Sequence, residues 1–508
     1  MLRATLRPSR SLRPLASAAS AATASGRRAT HSSTPKRSAA AAVQQPSVPS
    51  GPSGPSGWAQ ATQNAHNILA EGAAVEDPLF AIKGEIGELK ASLFQMLGSS
   101  HPSLDAVAKY YFKAEGKALR PLLVLLMAQA TNGLAGRGWE SAYARAAEDQ
   151  RLRSGGINRA VTEMGGVLND WNPESMGLEP RGRMVFSEPF RITRSEAGTQ
   201  DQLGGFNFLF SSNQPPNPPE VTHTKFADIL PAGDGKVILP TQRRLASICE
   251  MIHVASLLHD DVIDASDLRR GAPSAPAAFG NKLSILAGDF LLGRASVGLA
   301  RLGNAEVTEL LSTTVANLVE GEVIQLKATT KPAESPTQAG FEEYMRKTYL
   351  KTASLMAKGA RCAVILGGCG EGSTRDAAWI KDVAYGYGRN LGIAFQLVDD
   401  MLDFLPASAD LGKPGSGADL RLGLATAPAL FAWEEHPELG PLIRRKFSED
   451  GDTATALELV KNSQGLQRTG ELAKYFANEA KELIMLLPPS EARDALVDLT
   501  IKVVDRVK

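Results

Sequence analysis

Cysteine is scarce in this chain. Three residues in 508, Cys249, Cys362 and Cys369, lack the density of a disulfide framework and the paired spacing of a zinc site, so a reducing compartment is implied. Net charge is absent as well. Fifty-five basic residues meet 55 acidic ones and aromatic residues make up 6%, leaving no overall field that would draw nucleic acid as a partner. No apolar run of roughly eighteen residues or more occurs, and no membrane-spanning helix is expected. Acidic residues are missing altogether from residues 1–70.

What stands in their place is Arg3, Arg7, Arg10, Arg13, Arg27 and Arg28 among Ser and Ala, with Leu2, Leu6, Leu12 and Leu15 spaced for an amphipathic helix. This is the composition of a mitochondrial transit peptide, with a disordered tail as the alternative. Pro-Ser-Gly repeats from Pro46 to Gly57 read as a flexible linker. Helical periodicity sets in after Asp77, where Phe80, Ile82, Ile86, Leu89, Leu93 and Met96 recur at threes and fours. It lapses from 131 to 236, a stretch rich in Gly, Pro, Asn and Ser in which only Trp139–Leu152 could form a short helix. The expected organisation is a leader and linker over 1–70 and one helical domain over 75–508, interrupted at 131–236 by a peripheral, low-order insertion.

Within that domain the densest chemistry is Leu257-Leu258-His259-Asp260-Asp261-Val262-Ile263-Asp264. On a helix Asp260 and Asp264 point the same way, and Asp261 sits about 100° round from Asp260. Like charges one turn apart repel, and the apolar flanks imply little water, so a cation is required; without those flanks the run would read as a solvated acidic turn. Hard divalent cations such as Mg²⁺ take a few carboxylates and complete their shells with water and substrate phosphates. Gln396, Asp399, Asp400 and Asp403 repeat the device at i, i+3, i+4 and i+7 on an otherwise apolar helix. Two such faces can clamp metal ions and hold a diphosphate between them.

With both clusters in view, the chain resembles the trans-polyprenyl diphosphate synthases, through Asp-Asp-Val-Ile-Asp at 260–264 and Asp-Asp-Met-Leu-Asp at 399–403. Among these it is most similar to the mitochondrial enzymes of the hexaprenyl, solanesyl or decaprenyl type that make the ubiquinone side chain. The likeness covers residues from about 75 to 130 and from about 237 to 508. It implies an all-α, isoprenoid-synthase-type helical bundle around a deep central cavity. The implied activity is repeated condensation of isopentenyl diphosphate onto an allylic diphosphate (farnesyl or geranylgeranyl). The implied cofactor is Mg²⁺, on the order of two or three ions, with Asp260, Asp264 and Asp399 as metal ligands. Asp261, Asp400, Asp403 and Lys351 complete the catalytic set.

Other residues gain roles by the same resemblance. Gly116-Lys117-Ala118-Leu119-Arg120-Pro121 brings two cations to one point beside a glycine, which alone would read as surface charge. His253 lies seven residues before Asp260 and alone would read as a core histidine. The resemblance makes Lys117, Arg120, His253 and Arg270 isopentenyl diphosphate ligands, while His259 receives no role. Arg269 and Arg270 are adjacent, so their forks diverge and could serve two anions. Arg269, Lys351, Thr352, Gln396 and Lys413 are the implied allylic diphosphate ligands, Lys413 from a turn-like lid at Leu411–Pro414. Asp289, Glu320, Glu322 and Gln325 match polar cavity residues at lower rank. Leu424 departs from the family, which often carries a lysine there, and Arg421 is a candidate substitute. Ala255 and Ser256, one turn before Asp260, are small and leave room for a long product, whose tail extends on the order of 25 Å, the length of a helix of about seventeen residues.

A homodimer or hetero-oligomer is expected, in the mitochondrial matrix with peripheral inner-membrane association. A terpene cyclase would not need Lys117 and Arg120. A metal-dependent phosphohydrolase would need more core histidines than this chain offers. A mainly structural subunit of an obligate hetero-oligomeric synthase would not need intact aspartates.

Overall fold

Leu119–Thr131 is apolar at nearly every position, and a helix without a polar face is stable only with neighbours on all sides. In the computed structural model its residues from Pro121 to Thr131 are all buried. The structure describes residues 83–97, 99, 101–113, 118–151, 157, 193–194, 237–330, 334–370, 377–405 and 417–506. The leader and linker expected over 1–70, Lys117 and the Leu411–Pro414 lid lie outside the described residues.

In chain order the helices are α1 (Lys83–Met96), α2 (Pro102–Ala108), α3 (Tyr110–Lys113), α4 (Leu119–Thr131), α5 (Arg137–Arg151), α6 (Pro240–Ile263), α7 (Ala275–Phe279), α8 (Asn281–Leu302) and α9 (Ala305–Thr330). There follow α10 (Gln338–Thr348), a π-helical turn at Tyr349–Ala353, α11 (Ser354–Val364), a second π-helical turn at Ile365–Cys369 and α12 (Ala378–Leu402). The last six are α13 (Ala418–Arg421), α14 (Ala427–Glu435), α15 (Leu439–Arg444), α16 (Asp452–Lys461), α17 (Gly465–Ile484) and α18 (Glu491–Val504). Two antiparallel pairs of two-residue strands, β1 (Thr193–Arg194) with β2 (Val237–Ile238) and β3 (Leu268–Arg269) with β4 (Ala272–Pro273), are the described sheet structure. The all-α architecture expected from the sequence is therefore what the chain adopts.

The two acidic clusters end the helices α6 and α12. α6 packs along α8 and α4, α12 along α11 and α17, and α4 also touches α11 and α18. Close approach along α12 depends on glycines: a Cβ at Gly388 would lie 2.5 Å from the Met356 carbonyl oxygen, and one at Gly392 would lie 2.6 Å from the Ala353 Cα. By length and composition alone α8 could cross a membrane. Its buried Ala287, Leu291, Ala295 and Leu299 pack it into the bundle as a core helix.

The boundary of the insertion needs correction at its start. Residues 131–138, expected to belong to a low-order segment, are part of the packed structure, and the short helix expected at Trp139–Leu152 is α5, Arg137–Arg151. Asn132 donates to the Val237 carbonyl at 2.6 Å and exchanges two hydrogen bonds with Gln242, at 2.8 and 2.7 Å. Gln242 also donates to the Ala363 carbonyl and accepts from the Leu239 amide, so one buried amide pair ties α4, the start of α6 and α11 together. Trp139 on α5 is buried, and Gly138 meets Gly368 of the second π-helical turn so closely that neither has room for a Cβ. Polar, glycine-bearing sequence there reflects a buried hydrogen-bonded corner, which composition alone reads as a loop.

Gly388→Ala is expected to lower the denaturant midpoint by an amount equivalent to about 1–3 kcal/mol, because the obstructing atoms are backbone and the helices must separate. Gly293→Ala, on the exposed face of α8 where a Cβ meets nothing within 4 Å, should be neutral or stabilising by up to about 1 kcal/mol. Equal losses from both would show that helix contact at Gly388 does not limit stability.

Candidate active site

Glu250, His253, Leu257, Asp260 and Asp264 fall at i, i+3, i+7, i+10 and i+14 along α6 and its cap, one stripe of the helix. At its lower end burial pushes the Asp260 carboxyl up to about 6, with Glu322 and Asp264 adding to the rise and Lys351 opposing it. Asp264, the C-cap residue, is raised for the same reason, burial first, and again Lys351 is the opposing cation. The pair thus carries more negative charge than its surroundings neutralise.

Asp261 points elsewhere. It is fully buried and accepts two hydrogen bonds from Arg269, from Nε at 2.8 Å and Nη2 at 2.6 Å, and one from the Tyr111 hydroxyl. That hydroxyl in turn accepts from the Ala275 amide at 2.7 Å. Arg269 belongs to the β3–β4 hairpin, whose two-residue turn is Arg270-Gly271 with φ of 54° and 75°. Positive φ at both central residues suits the twist of a tight hairpin, but at an arginine it is strained, a form of strain that tends to collect at ligand sites. The hairpin brings both arginines to one cavity of about 220 Å³, whose walls include Tyr111, Lys113, Glu250 and His253.

The polarity of that cavity is cationic. Burial, then Arg120, Arg270 and Arg269, hold the His253 imidazole well below its usual range, so it is neutral at pH 7 with one donor and one acceptor nitrogen. Arg120 lies deep, its Nε buried with no hydrogen-bond partner, and it feels Glu250, Asp399 and Arg270. Glu250 is raised by burial although Arg120, Arg270 and Lys90 pull the other way. An anion entering here would find several donors and one carboxyl that already resists ionisation.

At the second cluster, most polar groups are already partnered. Asp400 is buried and accepts from the Tyr344 hydroxyl at 2.5 Å and from Gln396 at 2.8 Å, and burial raises its carboxyl. Asp403 accepts from the Ala418 and Asp419 amides, both at 3.0 Å, and so caps α13. Asp399 pairs with Arg506, just past the end of α18, whose guanidinium also stacks 4.2 Å from the Phe395 ring centroid. The stripe of four therefore splits into a structural pair and two groups, Gln396 and Asp399, that also meet Thr352 and Arg506 from other parts of the chain.

Lys351 and Thr352 link the clusters. They sit in the π-helical turn at Tyr349–Ala353, a widened geometry that often marks functional sites. Lys351 bonds Glu322 and, at 3.2 Å, Gln325, and its charge reaches Asp260 and Asp264; Gly321 has no side chain to obstruct it. Thr352 donates to Gln396 at 2.7 Å and so meets the second cluster. Arg120 makes a second link, between Asp399 and Arg270.

Among the described residues no three candidate ligands already converge as a metal cage. The donor set nonetheless fits Mg²⁺, which is held through one or two carboxylates while phosphate and water fill the rest, and the raised Asp260 and Asp264 are the groups a cation would relieve. Asp289 and Glu320 are exposed, the former 3.5 Å from His259, the latter paired with Arg346. Ala255 is fully buried in the core and Ser256 donates to the His253 carbonyl at 2.8 Å. Glu250, Tyr111, Tyr344 and Arg506 were not singled out from the sequence. Glu250 could have been, since it shares the spacing of His253 and Asp260.

A family profile described as Polyprenyl synthetase matches residues 225–460. The chain is 46% identical over 452 residues to the probable hexaprenyl pyrophosphate synthase, mitochondrial, of Yarrowia lipolytica, covering 89% of each chain. It is 40% identical over 492 residues to the hexaprenyl pyrophosphate synthase, mitochondrial, of Saccharomyces cerevisiae, covering 89% of this chain and 95% of the relative. Among solved structures, the decaprenyl diphosphate synthase of Rhodobacter capsulatus superposes with a TM-score of 0.56 at 26% identity, over 87% of this chain and 99% of that one.

Asp260→Asn gives a pH-dependent test of the charge imbalance. A carboxyl raised in the folded state contributes stability below its unfolded value, near 4, and loses it as pH rises through about 6. Removing the charge should raise the melting temperature of ligand-free protein by a few degrees at pH 7.5, with the gain vanishing toward pH 4. A gain independent of pH would show that Asp260 is not held uncomfortably ionised.

Proposed function

Because the chain belongs to the polyprenyl synthetase family, we propose that it is a long-chain trans-polyprenyl diphosphate synthase that extends an allylic diphosphate with isopentenyl diphosphate to form the precursor of the ubiquinone side chain. One observation carries the reading. An under-neutralised carboxylate pair, Asp260 and Asp264, adjoins a cavity lined by His253, Arg269 and Arg270, so two anionic substrates have neighbouring seats of opposite design.

Asp260, Asp264 and Asp399 are the residues that would hold Mg²⁺, which when bound neutralises charge on the departing diphosphate. Lys351, with Thr352 and Gln396 beside it, and Lys413 grip the allylic diphosphate; for this Lys351 leaves Glu322 and Gln325. Asp261 fixes the Arg269 fork by two hydrogen bonds, so that the arginine meets substrate without reorganising. His253, Arg120, Arg270 and Lys117 hold isopentenyl diphosphate with its double bond against the allylic carbon. As the allylic carbon–oxygen bond ionises, the double bond attacks the cation, and a proton is lost to the released diphosphate. Leu257, on the stripe between His253 and Asp260, keeps water from the cation.

The product is of the hexaprenyl class that two relatives carry in their names. Its tail runs past Ser256, which is only partly buried, whereas Ala255 packs into the core and does not border that path. The chain acts in mitochondria, as those relatives' names state for them, on the matrix side, where an insoluble product can pass to the inner membrane. Exposed Ile285 and Leu286 on α8 and Val319, Val323 and Leu326 on α9 support self-association through these helices. Sedimentation of the purified chain should show a dimer that Val323→Glu weakens; a monomer would remove that proposal.

Purified protein supplied with Mg²⁺, farnesyl diphosphate and labelled isopentenyl diphosphate should release chains of the hexaprenyl class, sized by chromatography. Ser256→Phe should shorten them. Absence of any condensation with folded protein would overturn the activity, and an unaltered product from the variant would overturn the tail path.

A further inference from the structure

Lys347 lies one turn before Lys351, and no step above uses it. Its ammonium stands over the Tyr344 ring, 5.1 Å from the centroid. Tyr344 spends its hydroxyl on Asp400, and Asp400 is also bonded by Gln396, so the nearest carboxylate is already satisfied. No hydrogen bond or ion pair joins Lys347 to any described residue. The charged groups that face it come from three elements besides its own: Asp400 on α12, Asp419 on α13 and Glu322 on α9, with Lys351 from the adjoining turn.

A half-buried ammonium without an acceptor is costly, and a second ammonium one turn away makes it costlier. Burial accordingly lowers the Lys347 ammonium, and Lys351 lowers it further against the pull of the three carboxylates. A single polyanion between the two lysines removes both penalties. An aliphatic side chain would fit the same position with no such cost, so the cation calls for a ligand.

We propose that Lys347 is a further ligand of the allylic diphosphate, reaching the phosphate oxygens from one turn before Lys351 and beside the second acidic cluster. This rests on the synthase reading above. It gives the seat of the leaving diphosphate two lysines one turn apart, Lys347 and Lys351. Cation–π contact holds the ammonium over the Tyr344 ring, whose hydroxyl bonds Asp400 of the second acidic cluster.

The test uses the full chain with Mg²⁺ and inorganic pyrophosphate as probe, measured by calorimetry without turnover, beside steady-state kinetics for each substrate. Lys347→Met should weaken pyrophosphate roughly tenfold, the scale of one charged hydrogen bond. It should raise KM for the allylic substrate by a similar factor and leave that for isopentenyl diphosphate unchanged. Lys347→Arg should restore most of the loss. The ligand-free Lys347→Met protein should melt no lower than the parent, since a penalty has been removed; a merely structural lysine would lower it. Lys351→Met serves as reference. If it weakens pyrophosphate while Lys347→Met does not, the inference fails and the synthase reading stands; if neither variant changes affinity, the site assignment falls and Lys347 with it.

Discussion

Charge held away from water governs this site, and the division between charges that have an internal partner and those that do not explains most of its geometry. Asp261 with Arg269 and Tyr111, Asp400 with Tyr344 and Gln396, and Asp403 with two amides are closed units that position backbone and side chains. Asp260, Asp264, the Arg120 Nε and Lys347 are left incompletely satisfied. Buried groups of that kind are tolerated where a ligand completes them. The closed units keep the open ones in place, so the site is organised before substrate arrives.

Helix packing sets where those groups stand. Gly388 and Gly392 let α12 approach the Tyr349–Ala353 turn and α11 at backbone contact, which is what carries Thr352 to within 2.7 Å of Gln396. The π-helical turn lets consecutive residues 351 and 352 serve different neighbours, Glu322 on one side and Gln396 on the other. The β3–β4 hairpin achieves a similar result by strain, with Arg270 at positive φ so that both arginines border one cavity. Adjacent arginines in sequence suggest two anion contacts, and the tight turn sets both at the border of one cavity.

Local spacing made much of this legible. The two acidic stripes, the helical periodicity and the small residues before Asp260 all lie within one or two turns of chain, where helix geometry converts sequence distance directly into spatial proximity. The start of the insertion misled because Asn132 hydrogen-bonds residues about a hundred positions away and Gly138 abuts Gly368, contacts that composition does not show. Glu250 was within reach of the same spacing argument. Tyr111 and Arg506 were not, being 150 and 107 residues from the aspartates they bond.

The amino-acid sequence by itself determined that two acidic helix ends exist on largely helical chain, since both follow from periodicity and charge within short stretches, and its resemblance to a known family added the all-helical bundle around them. Only the tertiary structure decided which aspartates are spent on the protein and which remain for a ligand. That choice depends on Tyr111, Arg269, Tyr344 and Arg506 arriving from other elements, and on how much water their packing excludes. Neither the arrivals nor the desolvation can be read along one helix.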